Sequence, residues 1–181
     1  MATDNAVRAV VAFPLLDEDH RQWIESLRAR HDPQAKRIAA HVTLVLPAVL
    51  PLRETEAQVA RVAQATQPIR FVLRRAAVAP DALGSGGHVF LLFDDGRDAL
   101  VGLHERLYEG ALQPQVKKRS SFNPHITVAA GTALDSLETL ASELNAKALA
   151  VRGSLAELVL VEVTSSTINQ MGRFRLGGGE A

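Results

Sequence analysis

A four-residue pattern occurs twice in this chain of 181 residues: His-Val-Thr-Leu begins at His41, and His-Ile-Thr-Val begins at His125. Each copy opens a run of apolar residues that is typical of a β-strand. Because side chains alternate between the two faces of a strand, each His shares a face with the Thr two residues later, Thr43 or Thr127. The chain therefore needs two strands that each have one buried face and one face carrying an imidazole and a hydroxyl.

The segments around the two copies follow the same order, which indicates an internal duplication. An apolar run, an acidic helix start and a helix-like segment precede each His, and a second helix-like segment and a strand-like run follow it. Asp135 followed by Glu138 resembles a capping box and predicts a helix start there. The predicted strands outside the two His runs cover 7–13, 69–78, 89–93, 155–163 and 173–176, and the predicted helices after the His strands cover 54–64 and 135–145.

Two units of strand, helix, His strand, helix and strand are compatible with a parallel α/β sheet or with a mainly antiparallel α+β fold. We favour the second, because two imidazoles act together only if the units face each other. The sequence thus predicts an α+β fold with two pseudo-symmetric lobes of mainly antiparallel sheet, flanked by helices, and a central groove carrying both motifs. The lobes would form a single bilobal domain over 1–181, with approximate halves 1–83 and 88–181 and a Gly-rich turn at 84–87.

Composition excludes several classes of function. Lys plus Arg and Asp plus Glu number 20 each, so the chain has no overall positive field with which to bind long nucleic acid. The absence of Cys excludes disulfides, thiol catalysis and thiolate metal sites. The amino-terminal residues do not resemble a secretory signal, and no apolar run reaches the roughly 18 residues of a membrane span. We expect a cytoplasmic monomer that does not associate with a membrane.

The two His and two Thr suit a site that moves protons around a bound anion. An imidazole titrates near pH 6.5, so one ring can be a neutral base while the other is a protonated acid. Two hydroxyls can donate hydrogen bonds to the oxygens of the anion. Basic residues precede both motifs, and of these Lys118 and Arg119 are predicted to bind substrate phosphate. For either copy alone, a His bonded to nearby backbone would explain the pattern. The presence of two matched copies is what indicates a catalytic site.

The paired motifs resemble those of the two-histidine phosphoesterase superfamily. The stretch Ser-Phe-Asn-Pro-His-Ile-Thr-Val that ends at Val128 resembles its second motif, in which Pro often precedes His. Within the superfamily, the chain is most similar to the branch of RNA 2',3'-cyclic phosphodiesterases, also called 2'-5' RNA ligases. The resemblance implies two lobes of antiparallel sheet with the His pair in the groove between them.

The same resemblance implies the activity and the roles of the residues. The substrate would be a 2',3'-cyclic phosphate end of RNA or of a small nucleotide, hydrolysed to a 2'-phosphate without a metal or other cofactor, and the reversible reaction would be 2'-5' RNA ligation. His41 would be the acid toward the leaving oxygen and His125 the base toward water, and symmetry permits the reverse. Thr43 and Thr127 would bind the phosphate.

Two other functions fit the same residues. A binding module could keep the groove for a nucleotide or an RNA end without turning it over, and it would tolerate the loss of His41. A metal hydrolase could hold Zn²⁺ with His41, His125 and a carboxylate such as Asp94. No tight ligand cluster such as His-Glu-x-x-His supports the metal site.

Aromatic side chains for stacking a nucleobase are few, since the chain has one Trp, one Tyr and six Phe. Phe13, Phe90 and Phe122 lie near the motifs, and we predict that each belongs to the core. His104 lies on a helix face with Leu100, and we predict a partly buried structural role for it.

Overall fold

The computed structural model describes residues 6–81, 86–110, 112 and 122–177, and these form two β-sheets and four α-helices. The strands of the first sheet, in spatial order, are β3 (Val42–Val49), β1 (Val7–Ala12), β8 (Glu157–Val163) and β9 (Ile168–Arg175). The strands of the second sheet, in spatial order, are β2 (Leu15–Leu16), β7 (Val151–Leu155), β4 (Ile69–Pro80), β5 (Gly87–Phe93) and β6 (His125–Gly131). The helices are α1 (Glu18–His31), α2 (Leu52–Gln64), α3 (Arg97–Leu107) and α4 (Leu134–Asn145), and a 3-10 turn covers Pro33–Lys36.

All pairings between the described strands are antiparallel. The α+β prediction is therefore confirmed, and the parallel α/β alternative is wrong. Strands β4 and β5 form a hairpin, in which Pro80 pairs with Gly87. The Gly-rich turn predicted between them lies partly outside the described residues.

The two His strands occupy equivalent places, because β3 and β6 are each the edge strand of a sheet. The predicted alternation of faces is confirmed at the motif positions of both strands, whereas Leu46, predicted on the buried face of the first His strand, is exposed. In β6, Ile126 and Val128 are fully buried, whereas His125 and Thr127 are partly exposed. In β3, Val42 and Leu44 are buried, and the His and Thr of the first motif are again partly exposed.

The four helices pack on the two sheets. Helix α2 packs on β8 and β9 of the first sheet, and α4 packs on β4 and β5 of the second. Helix α1, which follows the short strand β2, contacts β6 of the second sheet, and α3, which follows β5, contacts β3 of the first. The helix before each His motif therefore packs against the strand of the other His motif.

Two apolar clusters stabilise this arrangement. The larger cluster lies between the helices and the sheets and includes residues of both His strands, such as Val42 and Ile126. The smaller one lies on the opposite face of the first sheet and consists of Ala9, Val11, Val159 and Val161. Because Val11 is the cross-strand partner of Thr43, this second apolar surface adjoins the first motif.

Three sequence predictions need correction. The run 155–163 is two strands, because the chain leaves the second sheet after Leu155 and enters the first at Glu157. The last strand is longer than the predicted 173–176 and begins at Ile168. The capping box at Asp135 is wrong: the N-cap of α4 is Ala133, so Asp135 lies inside the first turn.

The sheets do not correspond to continuous halves of the chain. The first sheet combines β1 and β3 with β8 and β9 from the end of the chain, and the second takes β2 and β4 from the first half. In each sheet the third strand from the edge that carries the His motif thus comes from the other half of the sequence. This strand is β8 in the first sheet and β4 in the second. The internal duplication itself stays a prediction.

Candidate active site

Both motif imidazoles are held by the same hydrogen bond. Nδ1 of His41 lies 2.8 Å from the carbonyl oxygen of Ala39, and Nδ1 of His125 lies 2.7 Å from the carbonyl oxygen of Asn123. A carbonyl oxygen only accepts, so Nδ1 carries the proton in each ring. In the neutral state the free lone pair is then on Nε2. A His bonded to nearby backbone, which would explain a single copy, is thus found in both copies. Within the described part of the chain, the second nitrogen of each ring has no hydrogen bond.

The two motifs approach each other between the sheets. Residues of β3 and β6 come within 8 Å of one another between Cα atoms. The pKa of His41 is lowered, mainly by burial and further by the positive charges of Arg28 and His125. A positive charge on His125 is thus near enough to lower the pKa of His41.

His125 lies on an aromatic surface that the sequence did not predict. Its ring stacks on Phe90 with centroids 3.7 Å apart and planes at 20°, and His88 stacks on the same Phe at 5.8 Å. Burial lowers the pKa of His125, and the charge of His88 lowers it further. His88 also pairs with Asp81, Nδ1 to Oδ1 at 3.3 Å. The environment of His125 therefore favours its neutral form.

The aromatic residues near the motifs divide into two groups. Phe13 and Phe122 are partly buried against the apolar clusters, as predicted. Phe90 was predicted to belong to the core, and this is wrong, because it pairs with Thr127 on β6 and contacts the His125 ring. The sequence places Phe90 in a strand, but it does not show that the ring of Phe90 lies against a histidine.

A cavity of about 240 Å³ adjoins the first motif. His41 and Thr43 form one wall together with Gln34 and Arg37, and apolar side chains of β1, β8 and β9 form the floor. Arg37 donates from Nη2 to the carbonyl of Thr164 at 2.8 Å, whereas its buried Nε has no hydrogen-bond partner among the described residues. The cavity thus combines an apolar floor with groups that donate hydrogen bonds.

The family model for the 2'-5' RNA ligase superfamily matches residues 16–167, which include both motifs. The chain belongs to the 2'-5' RNA ligase superfamily. The resemblance to two-histidine phosphoesterases that the motifs suggested is therefore confirmed. No curated protein matches the chain by sequence.

Solved structures share the fold of this superfamily member. TT0787 of Thermus thermophilus has a TM-score of 0.65 at 18% identity, covering 96% of this chain and 100% of that one. Usb1 of Kluyveromyces marxianus has a TM-score of 0.60 at 13% identity, covering 97% and 100%. LigT of E. coli complexed with 3'-AMP has a TM-score of 0.58 at 16% identity, covering 94% and 98%. At such identities the likeness establishes the fold.

Two predicted phosphate-binding residues of this superfamily member lie outside the described part, and the predicted metal ligand is in an ion pair. Lys118 and Arg119 fall outside the described residues, so their proximity to substrate stays a prediction. Asp94, considered as a metal ligand, pairs with Arg74 at 2.8 Å. Among the described residues, no three His, Asp or Glu side chains are grouped so that they could hold a metal ion.

His104 has the structural role predicted for it. It is partly buried, and its Nδ1 lies 2.8 Å from the carbonyl of Leu44 on β3. Its ring stacks on Phe122 with centroids 3.9 Å apart and planes at 5°. Since Phe122 comes just before the second motif, His104 connects the strand of the first motif to the segment that leads into the second.

No helix in the described part of this superfamily member is long and apolar enough to cross a membrane.

Proposed function

We propose that this chain is a metal-independent phosphodiesterase that opens 2',3'-cyclic phosphate ends of RNA or of small nucleotides to give 2'-phosphates. The observation that carries the proposal is the matched pair of imidazoles, each bonded through Nδ1 to the carbonyl two residues earlier, with no described residue hydrogen-bonded to Nε2 of either ring. The family supports chemistry at a phosphodiester bond. The complexes of LigT with 3'-AMP and with ATP support a nucleotide as the bound group.

In the proposed mechanism, water attacks phosphorus in line with the departing O3'. His125 accepts a proton from the water as its oxygen bonds to phosphorus, and His41 gives a proton to O3' as the P–O3' bond breaks. Thr43 and Thr127 donate hydrogen bonds to the nonbridging oxygens, on which negative charge accumulates. If the 5'-hydroxyl of another RNA replaces water, the same steps form a 2'-5' bond, so the reversible ligase activity follows from the same site. Symmetry would also allow the two His to exchange roles.

The cavity beside the first motif supports the assignment of His41 as the acid. When a cyclic phosphate opens, O3' stays attached to the same ribose, so the nucleoside lies on the side of the leaving oxygen. The cavity of about 240 Å³ has an apolar floor for a ribose or base and donors from Gln34 and Arg37. His125, which stacks on Phe90, would then act on the opposite side of the phosphorus, from which water attacks.

The test is hydrolysis of 2',3'-cyclic nucleotides and of an oligonucleotide that ends in a cyclic phosphate. We expect the parent protein to form the 2'-phosphate and to remain active in EDTA, and His41→Ala and His125→Ala to lose activity. His31→Ala is the matched control, since that His is exposed at the end of α1.

Three results would contradict the proposal. Loss of activity in EDTA would favour metal hydrolysis. Nucleotide binding without product, unchanged in His41→Ala, would favour a binding module. A 3'-phosphate product would show that O2' leaves instead of O3'.

The substrate patch and the organisation of the chain stay predictions. Lys118 and Arg119 would bind phosphates of the RNA strand beyond the cyclic end. The protein would act as a cytoplasmic monomer, built as a single domain over 1–181 with pseudo-symmetric halves 1–83 and 88–181. Sedimentation of the purified protein tests the monomer.

A further inference from the structure

Helix α1 carries a buried cluster of charges that the proposed mechanism does not use. The side chains of Arg28 and Asp32 are only 1% and 2% exposed, and Nη2 lies 2.9 Å from Oδ2. Arg28 also pairs through Nη1 with Oε2 of Glu25 at 3.1 Å. Buried ion pairs are often no more stabilising than apolar side chains of the same volume, because the charges lose their hydration. Besides its ion pair, Asp32 accepts from the amide of Gln34 and so caps the 3-10 turn.

The cluster binds the backbone just before the first motif. Nη2 of Arg28 donates to the carbonyl of Ile38 at 3.0 Å, and Oε1 of Glu25 accepts from the amide of Ala40 at 2.7 Å. The residue between these two contacts, Ala39, supplies the carbonyl that holds the first imidazole. That carbonyl is thus fixed from both sides by side chains of α1.

The position of this carbonyl decides which nitrogen of His41 is free. While Nδ1 donates to the Ala39 carbonyl at 2.8 Å, the neutral ring keeps its proton on Nδ1 and leaves Nε2 as the outward nitrogen. If the carbonyl moved, the ring would lose its fixed orientation, and both tautomers would become populated. A displacement of about 1 Å is enough to lower catalysis strongly.

The cluster is also within electrostatic range of the imidazole. After burial, which is the main cause of its lowered pKa, His41 is affected by Arg28, which lowers the pKa, and by Asp32, which raises it. The opposite signs show that the two charges partly cancel at the ring. The cluster can therefore order the backbone without placing a large net charge beside the imidazole.

We propose that Glu25, Arg28 and Asp32 are positioning residues that keep His41 in its Nδ1-protonated tautomer and aim its Nε2 at the reacting phosphate. This inference rests on the proposed function for the identity of the reacting group, but the tautomer can be measured without substrate.

Glu25→Gln tests the inference, with Glu18→Gln as a matched control. Both Glu residues lie on α1 and pair with an Arg three residues later, but Glu18 and Arg21 are exposed. A Gln side chain at position 25 can still accept from the Ala40 amide, but its NH₂ group then faces the guanidinium of Arg28. In Glu25→Gln we expect ¹⁵N NMR to show His41 as a mixture of tautomers, and kcat to fall on the order of tenfold. Glu18→Gln should keep the parent spectrum and rate.

Arg28→Lys provides a second test that retains the charge. An ammonium group lacks the fork that reaches Asp32, Glu25 and the Ile38 carbonyl together, so we expect the same change in the His41 spectrum. An unchanged Nδ1-protonated signal in folded Glu25→Gln or in folded Arg28→Lys would overturn the inference. A parent protein without phosphodiesterase activity would contradict the proposed function, whereas the spectrum alone decides the positioning role.

Discussion

The imidazole of His125 stacks face to face on the ring of Phe90, with centroids 3.7 Å apart. The other motif has no equivalent contact with Phe13, whose ring approaches His41 edge-on at 6.3 Å. The two imidazoles therefore share their backbone hydrogen bond but differ in what holds the ring plane. His125 is constrained by a hydrogen bond and a stacked ring, whereas the backbone contact of His41 depends on the charged cluster of α1.

This difference predicts unequal effects of removing the two aromatic rings. Phe90→Leu should lower kcat/KM by roughly two- to tenfold, since a stacked aromatic pair contributes about 0.5–1.5 kcal/mol beyond burial. Phe13→Leu, the matched control at the other motif, should have the smaller effect. Steady-state kinetics on a 2',3'-cyclic nucleotide would measure both. Equal losses in the two variants would show that the stacking does not orient His125.

The two threonines predict a loss that depends on the hydroxyl and not on the side-chain shape. Thr43→Val and Thr127→Val should each lower kcat by about 10²-fold, because each removes a donor to an oxygen that becomes more negative in the transition state. Valine keeps the β-branched shape that a strand favours, so the fold should be unaffected. Thr→Ser at the same positions should retain most of the activity. If the Val variants are as active as the Ser variants, the hydroxyls do not contact the phosphate.

Much of the fold could be predicted from the sequence, because strand alternation depends on local pattern. The His strands follow from it, and the helices after them follow from helical spacing, whereas the antiparallel class is favoured only because two facing units bring the imidazoles together. The division at Ala156 could not be predicted, since apolar residues recur along 155–163 on both sides of it although the two parts enter different sheets. The exchange of strands between the halves is likewise a property of the tertiary fold and not of any segment.

The four motif residues were also accessible from the sequence, because the repeat itself draws attention to them. The cluster of Glu25, Arg28 and Asp32 was not accessible. Charged residues at spacings of three and four on a helix usually form a solvated face, and only the packing of α1 and its C-cap buries Arg28 and Asp32 here. Phe90 was misassigned for a related reason: an aromatic residue in a strand is apolar whichever side it faces.

The lowered pKa values of both motif histidines predict an acidic optimum for kcat/KM. Burial is the main cause of lowering in His41 and His125, so both titrate below the ordinary value of 6.5 in the free enzyme. The proposed reaction needs one ring protonated and one neutral. Above both pKa values the protonated acid is lost, and kcat/KM should fall about tenfold per pH unit. A pH profile of kcat/KM that is flat, or that has its optimum above about pH 7.5, would contradict the acid and base roles.

Burial of histidine should also make the folded state less stable as the pH falls. The pKa of His104 is lowered by burial, as are those of His41 and His125, while the unfolded chain keeps the ordinary value of 6.5. Below that value the unfolded chain binds protons that the folded protein does not, so the free energy of unfolding decreases with falling pH. Urea unfolding at about pH 7.5 and 5.5 measures this difference in a range where carboxylates stay ionised.

Replacing one of these rings isolates its share of the effect. His104→Asn removes the titrating group, and the amide NH₂ can still donate to the Leu44 carbonyl in place of Nδ1. We expect the variant to lose less stability between about pH 7.5 and 5.5 than the parent does, because one buried imidazole no longer opposes folding when protonated. His31→Asn, at an exposed position, provides the control. A pH dependence of unfolding that is the same in His104→Asn and in the parent would mean that the folded protein accepts the proton on His104 as readily as the unfolded chain.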